Sequence, residues 1–244
     1  MTQKPNYGFD APNVIRWLFL FAVVSLGVAF FAYSIVYPQD LLMARLIWGY
    51  FILTALAFLV PAIWMIYGTQ TGKQKILSEV VDGLRLKGDE TILDAGCGRG
   101  MFLVEAAKRL PRGKASGIDL WHVKDQSGNG PESALANAKI EGVEDRIEIQ
   151  TADMQSIPYP DGQFDYVLSS LAIHNIEEEE GRKEALRELY RVLKPEGQLI
   201  LLDFRNTPHY AAYLRSLGAK EISISNSDYR YFPPIRIVKG KKEL

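Results

Sequence analysis

Three acidic residues and a run of glycines are the positions whose types and spacing point most directly to chemistry. Asp94 is followed by Ala-Gly-Cys-Gly-Arg-Gly100, which sets Gly96, Gly98 and Gly100 at every second position behind an acid that closes a β-rich run. Glycines let a backbone approach a ligand closely and turn into a helix whose first amides then face it. The G-x-G-x-G spacing is one residue shorter than the G-x-G-x-x-G of dinucleotide sites, and no lysine follows the turn as a phosphate-binding P-loop requires. Asp119 stands 25 residues after Asp94 at the end of a second β-rich run, where a carboxylate can accept hydrogen bonds from both ribose hydroxyls. Asp153 and Met154 follow a third run and offer an acceptor for an exocyclic amine and an apolar surface for a purine. Together these residues describe a pocket for an adenosine that carries a cationic or zwitterionic tail in place of phosphates.

Proton chemistry falls to histidine. His174, with Asn175 beside it, lies just past a fourth β-rich run, and His122 lies after Asp119. A neutral imidazole there could take a proton from a phenol or an enol, although a histidine bonded to backbone is the alternative use of either position. His209 opens a late helix, Asp203 ends a fifth strand, and Cys97 suits the glycine turn by its small size. Three scattered histidines and one cysteine give no metal-ligand spacing, so no metal is expected.

The elements that must hold these residues alternate. Helical spacing covers residues 72–84, 101–110, 131–141, 177–193 and 210–217, and β-rich runs cover 91–94, 115–119, 146–150, 164–169 and 197–203. Two last runs, 221–225 and 235–239, are expected to pair antiparallel. Such alternation implies an α/β fold with a mostly parallel sheet covered by helices, and ligands at the carboxyl ends of its strands. Asp94, Asp119, Asp153, Ser169 and Asp203 all fall at or just past such ends. The charge balance of 28 Lys+Arg against 29 Asp+Glu argues against a nucleic-acid binder, and a single Cys excludes an internal disulfide.

In residues 93–100 (LDAGCGRG), 117–121 (GIDLW), 151–176 and 189–204 the chain resembles the class I S-adenosylmethionine-dependent methyltransferases, especially the branch that includes the ubiquinone and menaquinone methyltransferases. The resemblance covers about residues 73–240 and implies a Rossmann-like seven-stranded sheet with an antiparallel last strand. It also implies S-adenosylmethionine as cofactor. Gly96, Gly98 and Gly100, with Cys97 among them, would line the methionine tail, and Asp94 would support its amino group. Asp119 would hold the ribose, Asp153 and Met154 the adenine, Ser169 would face the sulfonium, and Leu120 would also belong to the cofactor site. One departure is the long WHVKDQSGNG stretch, residues 121–130, after the ribose-binding acid.

The other departure comes first in the chain. Residues 17–37 and 46–72 carry no charge, each run is long enough to cross a bilayer, and Trp17, Tyr33, Tyr37, Trp48, Tyr50, Trp64 and Tyr67 lie mostly towards their ends. Neither run has the polar stripe of a soluble surface helix. Residues 1–72 are therefore read as a transmembrane hairpin with helices at about 17–37 and 46–67, and residues 73–244 as the catalytic domain. Pro61 should kink the second helix or mark its end. Lys4, Arg16, Lys73 and Lys75 flank the hairpin while its turn holds Arg45 and Asp40, which sets both termini and the catalytic domain in the cytoplasm. The expected activity is methyl transfer to a small hydrophobic acceptor: a lipid, an isoprenoid or a quinone-like ring. A membrane-tethered S-adenosylmethionine sensor or scaffold and an NAD-dependent oxidoreductase are the competing readings.

Overall fold

The computed structural model describes residues 4–122 and 126–243. Two long helices come first, α1 (Pro12–Val36) and α2 (Leu41–Tyr67), and they pack against each other. Pro12 opens α1 at a position where its missing N–H is not needed, and the Asp40 side chain caps α2 by accepting from the Met43 amide at 2.9 Å. Both helices start several residues before the uncharged runs, because Arg16 and Arg45 suit a helical backbone as well as an apolar residue does. The connecting turn shrinks accordingly to residues 37–40. Pro61 does not end α2, which continues to Tyr67.

The side chains buried on the two helices are mostly small: Ala22, Ser25 and Ala29 on α1, and Ala44, Ala55 and Ala62 on α2. Small residues let two helices approach closely when no hydrophobic effect drives them together. The large apolar residues face outward, with Phe30 70% and Leu53 69% exposed. Core helices of a soluble protein would bury such residues; both of these helices are long and apolar enough to cross a membrane.

After Tyr67 the helical path continues through a π-helical turn (Gly68–Gly72) into α3 (Lys73–Gly83), so Leu41–Gly83 is one rod of 43 residues. The sheet then comprises β1 (Thr91–Ala95), β2 (Lys114–Asp119), β3 (Ile147–Thr151), β4 (Phe164–Ser170), β5 (Leu193–Asp203), β6 (Lys220–Ile224) and β7 (Arg236–Lys241). Its order is β3-β2-β1-β4-β5-β7-β6; β7 runs antiparallel to both neighbours and the other pairs are parallel. The seven-stranded, mostly parallel α/β sheet expected from the sequence is thus present, and β6 and β7 pair as anticipated. Helices α4 (Met101–Ala107), α5 (Pro131–Ile140), α6 (Glu179–Val192) and α7 (Thr207–Ser216) cover it.

Strand alternation divides the core between the two faces. Ile92, Leu168 and Ile200 join Ile76, Leu77 and Phe102, whereas Leu93, Val167 and Leu199 join Leu186, Leu189, Tyr210 and Leu214. The strand order reverses between β1 and β4. That is where a crevice opens at the carboxyl ends of an open parallel sheet.

The rod is fastened to the sheet by the segment before β7. Trp64 Nε1 donates to the Tyr229 carbonyl at 2.9 Å, and the Trp64 and Phe232 rings lie 5.1 Å apart. Arg230 forks onto Glu79 at 2.6 and 2.8 Å. Beneath it, a Cβ on Gly72 would sit 1.8 Å from the Arg230 carbonyl oxygen, so the contact needs a residue without a side chain. Gly72→Ala should force the rod and this segment apart and cost about 1–3 kcal/mol, the usual penalty for overpacking. Thermal unfolding of the full-length protein in detergent checks this; an unchanged midpoint would show that the junction carries no load.

Candidate functional site

A cavity of about 440 Å³ opens at the β1/β4 reversal, within the size range of small-ligand sites. Asp94, Gly96, Cys97, Gly98, Asp119, Leu120, His122, Asp153, Met154 and Asn175 line it. The topology explains their convergence: β1, β2 and β4 are neighbours, and the turns after β1, β2, β3 and β4 meet above their carboxyl ends.

Asp94 is the most unusual of these residues. It is 1% exposed, and among the described residues neither carboxylate oxygen has a hydrogen-bond partner of ordinary geometry. Burial pushes its carboxyl up to about 8; the nearby Leu103 backbone N–H and Lys73 oppose the rise, and Asp119 adds to it. A buried carboxylate in this condition is a receptor for a cation, because an unpaired ionised group is costly to keep away from water.

The glycine turn that follows is shaped by close approach. Gly96 has φ +75°, and a Cβ there would lie 2.2 Å from the Ala172 Cβ and 3.0 Å from the Met154 Cε, filling the crevice. The Gly98 amide donates to Asp119 Oδ2 at 2.8 Å, which ties the turn to the end of β2. Asp119 Oδ1 accepts from the Trp121 amide at 2.6 Å and from Asn129 at 3.4 Å. A carboxylate offers about four acceptor sites, so Asp119 is oriented with capacity left for a ligand hydroxyl. Asp153 is held in the same manner, its Oδ1 accepting from the Gln155 amide at 2.9 Å.

Other expected residues sit elsewhere. Gly100 has φ +81° and caps α4 against Ala134, away from the cavity lining. Ser169 is buried and donates to the Ala95 carbonyl at 2.8 Å, so it braces β4 to the β1 end; the neighbouring Ser170 lines the cavity with a hydroxyl that has no partner among the described residues. Burial and the carboxylates of Asp94 and Asp119 push the Cys97 thiol well up, which keeps it protonated and consistent with a packing role. His174 is not among the lining residues: its Nδ1 faces Asp203 Oδ1 at 3.0 Å, its ring stands edge-on to Phe204, and Tyr210 donates to the other Asp203 oxygen at 3.2 Å. The His174–Asp203 pair forms because β4 and β5 are paired neighbours, with Ser170 beside Leu202.

Several lining residues were not expected at the site from sequence: Asp10, Lys73, Gln126 and Asn129. Residues 123–125 of the long stretch after Asp119 lie outside the described residues, but its far end pairs with the segment preceding α1. Gln126 bridges to Asp10, and Ser127 exchanges bonds with Phe9, its amide reaching the Phe9 carbonyl at 3.0 Å and its hydroxyl accepting from the Phe9 amide at 2.8 Å. Arg99 clamps both segments, donating to Asn6 O at 2.7 Å and Ser127 O at 2.9 Å. The two departures from the family pattern therefore meet at the glycine turn.

Residues 93–201 match the family model described as a methyltransferase domain. The chain is 31% identical over 175 residues to a demethylmenaquinone methyltransferase of Lactobacillus johnsonii, covering 67% of this chain and 66% of that protein. It is 32% identical over 123 residues to the ubiquinone/menaquinone biosynthesis C-methyltransferase UbiE of Geotalea daltonii, covering 50% and 48%. The chain thus spans about half to just under two thirds of these curated relatives. Among solved structures it resembles a SAM-dependent methyltransferase from Aquifex aeolicus, with TM-score 0.55, 20% identity, and coverage of 74% of this chain and 97% of that one. It also resembles the [4+2]-cyclase SpnF, with TM-score 0.57, 21% identity, and coverage of 69% and 80%. A methyltransferase and a cyclase thus share this fold, so such likeness carries the fold and leaves the reaction to the site.

The raised Asp94 carboxyl makes the site pH-sensitive. In an unfolded chain the group ionises near the usual value of about 4, so between about 4 and 8 the folded state holds a proton that the unfolded state has lost. Stability of the ligand-free protein should therefore fall as pH rises through that window. A ligand bearing an ammonium group reverses the balance by selecting the ionised form. Calorimetry of S-adenosylhomocysteine binding in two buffers of different ionisation enthalpy should show about one proton released at pH 7. Asp94→Asn should remove that release, and identical heats for the unaltered protein in the two buffers would contradict the assignment.

Proposed function

Because the chain belongs to the class I S-adenosylmethionine-dependent methyltransferases, we propose that it is a membrane-anchored enzyme methylating a small hydrophobic acceptor, a lipid, an isoprenoid or a quinone-like ring. The observation that carries the reading is the buried, unpartnered Asp94 carboxylate in a cavity walled by a glycine turn and Asp119. That donor set fits the cofactor: Asp94 suits its ammonium, Asp119 its ribose hydroxyls, and Asp153 with Met154 and Leu120 its adenine. When bound, the cofactor would supply an electrophilic methyl carbon on a sulfonium, the new bond forming at that carbon as the C–S bond breaks and the neutral thioether leaves.

The protein's tasks are alignment and exclusion of water. Gly96 leaves the space that a side chain would fill, and Ala172 and Met154 close it with apolar surface. Asn175 and His122 line the same cavity and can hydrogen-bond an acceptor. An acceptor that must lose a proton needs a base. The imidazoles proposed for that role are His122, which lines the cavity, and His174, which stands next to the lining residue Asn175 with its Nδ1 facing Asp203 Oδ1.

Membrane attachment rests on α1 and α2, whose large apolar side chains face outward, and the flanking Lys4, Arg16 and Lys75 favour both termini in the cytoplasm. The quinone-methylating relatives act on acceptors named for their rings, which supports a substrate of that kind here.

Full-length protein in nanodiscs should bind S-adenosylmethionine and S-adenosylhomocysteine by calorimetry. Asp119→Ala, which removes a charged hydrogen-bonding partner, should weaken both by about tenfold or more. With labelled methyl donor and a membrane lipid extract, label should enter the organic phase. A folded protein that binds neither nucleoside would sink the reading.

A further inference from the structure

The segment before β7 is seated on the end of the hairpin more closely than a domain on a tether would be. Trp64, Gly68 and Gly72 stand four residues apart, along one side of the rod, and residues 229–232 touch all three. A Cβ on Gly68 would lie 3.1 Å from the Tyr231 Cα and 3.2 Å from the Phe232 amide nitrogen, so the backbones meet there without room for a side chain. The segment also reaches the other flank of the hairpin. Asp10, two residues before α1, accepts from the Tyr231 hydroxyl at 3.0 Å and pairs with Lys73 Nζ at 2.6 Å.

Depth follows from length. Helix α2 has 27 residues, about 40 Å at 1.5 Å per residue, against a hydrocarbon core of about 30 Å. An upright, centred helix would overhang the core by about 5 Å at either end, and Trp64 lies about 4.5 Å before the last residue, Tyr67. Its ring then sits where acyl chains give way to headgroups, the level amphipathic rings prefer. The indole N–H of a tryptophan at that level ordinarily finds water or a headgroup; here the Tyr229 carbonyl takes it, which brings Tyr229 to the same depth. The chain around Tyr229 suits such a place. Its side chain is 63% exposed, the most exposed large apolar residue outside the hairpin among the described residues. From Ile222 to Ile235 the only charges are Asp228 and Arg230, which pair with each other at 2.7 Å, and Arg230 also pairs with Glu79. The far edge of the sheet is different, with Glu144, Asp145 and Glu148 exposed at and before β3.

We propose that residues 229–232 are a second membrane contact, with Tyr229 resting in the headgroup layer of the bilayer beside the end of α2. The β6 edge of the sheet then faces the membrane and the β3 edge faces away from it. This rests on the reading of α1 and α2 as membrane-spanning helices and adds to it the orientation of the catalytic domain.

Depth-dependent quenching on the full-length protein in phosphatidylcholine nanodiscs tests this. Tyr229→Cys, Val23→Cys and Glu148→Cys each carry a thiol-linked fluorophore at an exposed position, and the unaltered protein, whose one thiol, Cys97, is buried, gives the labelling background. Each is measured with nitroxide on the lipid headgroup and with nitroxide deep on the acyl chain. The label at 229 should lose more fluorescence to the headgroup nitroxide than to the deep one. The label at 23, midway along α1, should show the reverse order, and the label at 148 should lose little to either. A label at 229 that behaves like the one at 148, or like the one at 23, overturns the second contact while the hairpin stands. Headgroup quenching at 148 as strong as at 229 overturns it too, since the sheet would then lie otherwise on the membrane. No quenching at 23 by the deep nitroxide overturns the membrane-spanning reading and this proposal with it.

Discussion

A carboxylate kept out of water without a partner is the constraint around which this molecule is organised. Asp94 ends β1, which is hydrogen-bonded on one side to β2 and on the other to β4, so its backbone cannot retreat from the crevice. The chain accepts the cost of burial there because the two-sided pairing and the apolar faces of β1 fix the strand independently of the acid. Everything that follows is built outward from that fixed point: the glycine turn leaves room above Asp94, Asp119 grips the turn through the Gly98 amide, and Met154 and Ala172 roof it. A site made in this way is incomplete by itself, and its missing counter-charge is what a ligand brings.

What the sequence made legible was local. The glycine turn, the acids after β1, β2 and β3, and the alternation of strands and helices each leave a signature within a few residues, and these elements stand where expected. Ser169 shows how far such reading reaches: successive strand residues point to opposite faces, so an uncertainty of one position decides whether Ser169 or Ser170 faces the crevice. His174 shows the next limit. Its position past β4 was visible, but its orientation is set by Asp203 on β5, and that neighbour is supplied by strand pairing and not by proximity in the chain.

Asp10 and Lys73 were beyond local reading for a related reason. Lys73 looked like one more flanking charge of an apolar hairpin, and Asp10 lay in a short polar lead without periodicity. Their meeting depends on α1 and α2 packing side by side, which returns the chain after α2 to the neighbourhood of residue 10, and on Gln126, 116 residues from Asp10, arriving from a long connection. Contacts of this sequence separation have no pattern that composition or spacing could betray. The signal that was present was negative: the lengthened stretch after Asp119 and the hairpin were the two places where the family pattern did not apply, and they proved to touch each other.

The rigid junction between rod and sheet changes what an anchor can do. A flexible tether raises the local concentration of a membrane substrate and leaves the orientation of the domain free. Here the helix that would leave the bilayer continues into α3 without a break, and Trp64, Gly72 and Arg230 lock the segment before β7 against it. Lys73 lies six residues beyond the end of α2, roughly 9 Å along a helix at 1.5 Å per residue. The headgroup layer on each side of a bilayer is about 5–8 Å deep. On the membrane reading, the wall of the cavity therefore stands at the outer edge of the headgroups with its direction fixed, so an acceptor with a long apolar tail can present its polar end to the site while the tail stays in lipid. On that reading the geometry would select acceptors by the depth of their reactive group, a discrimination that an unanchored enzyme of the same fold has no means to make.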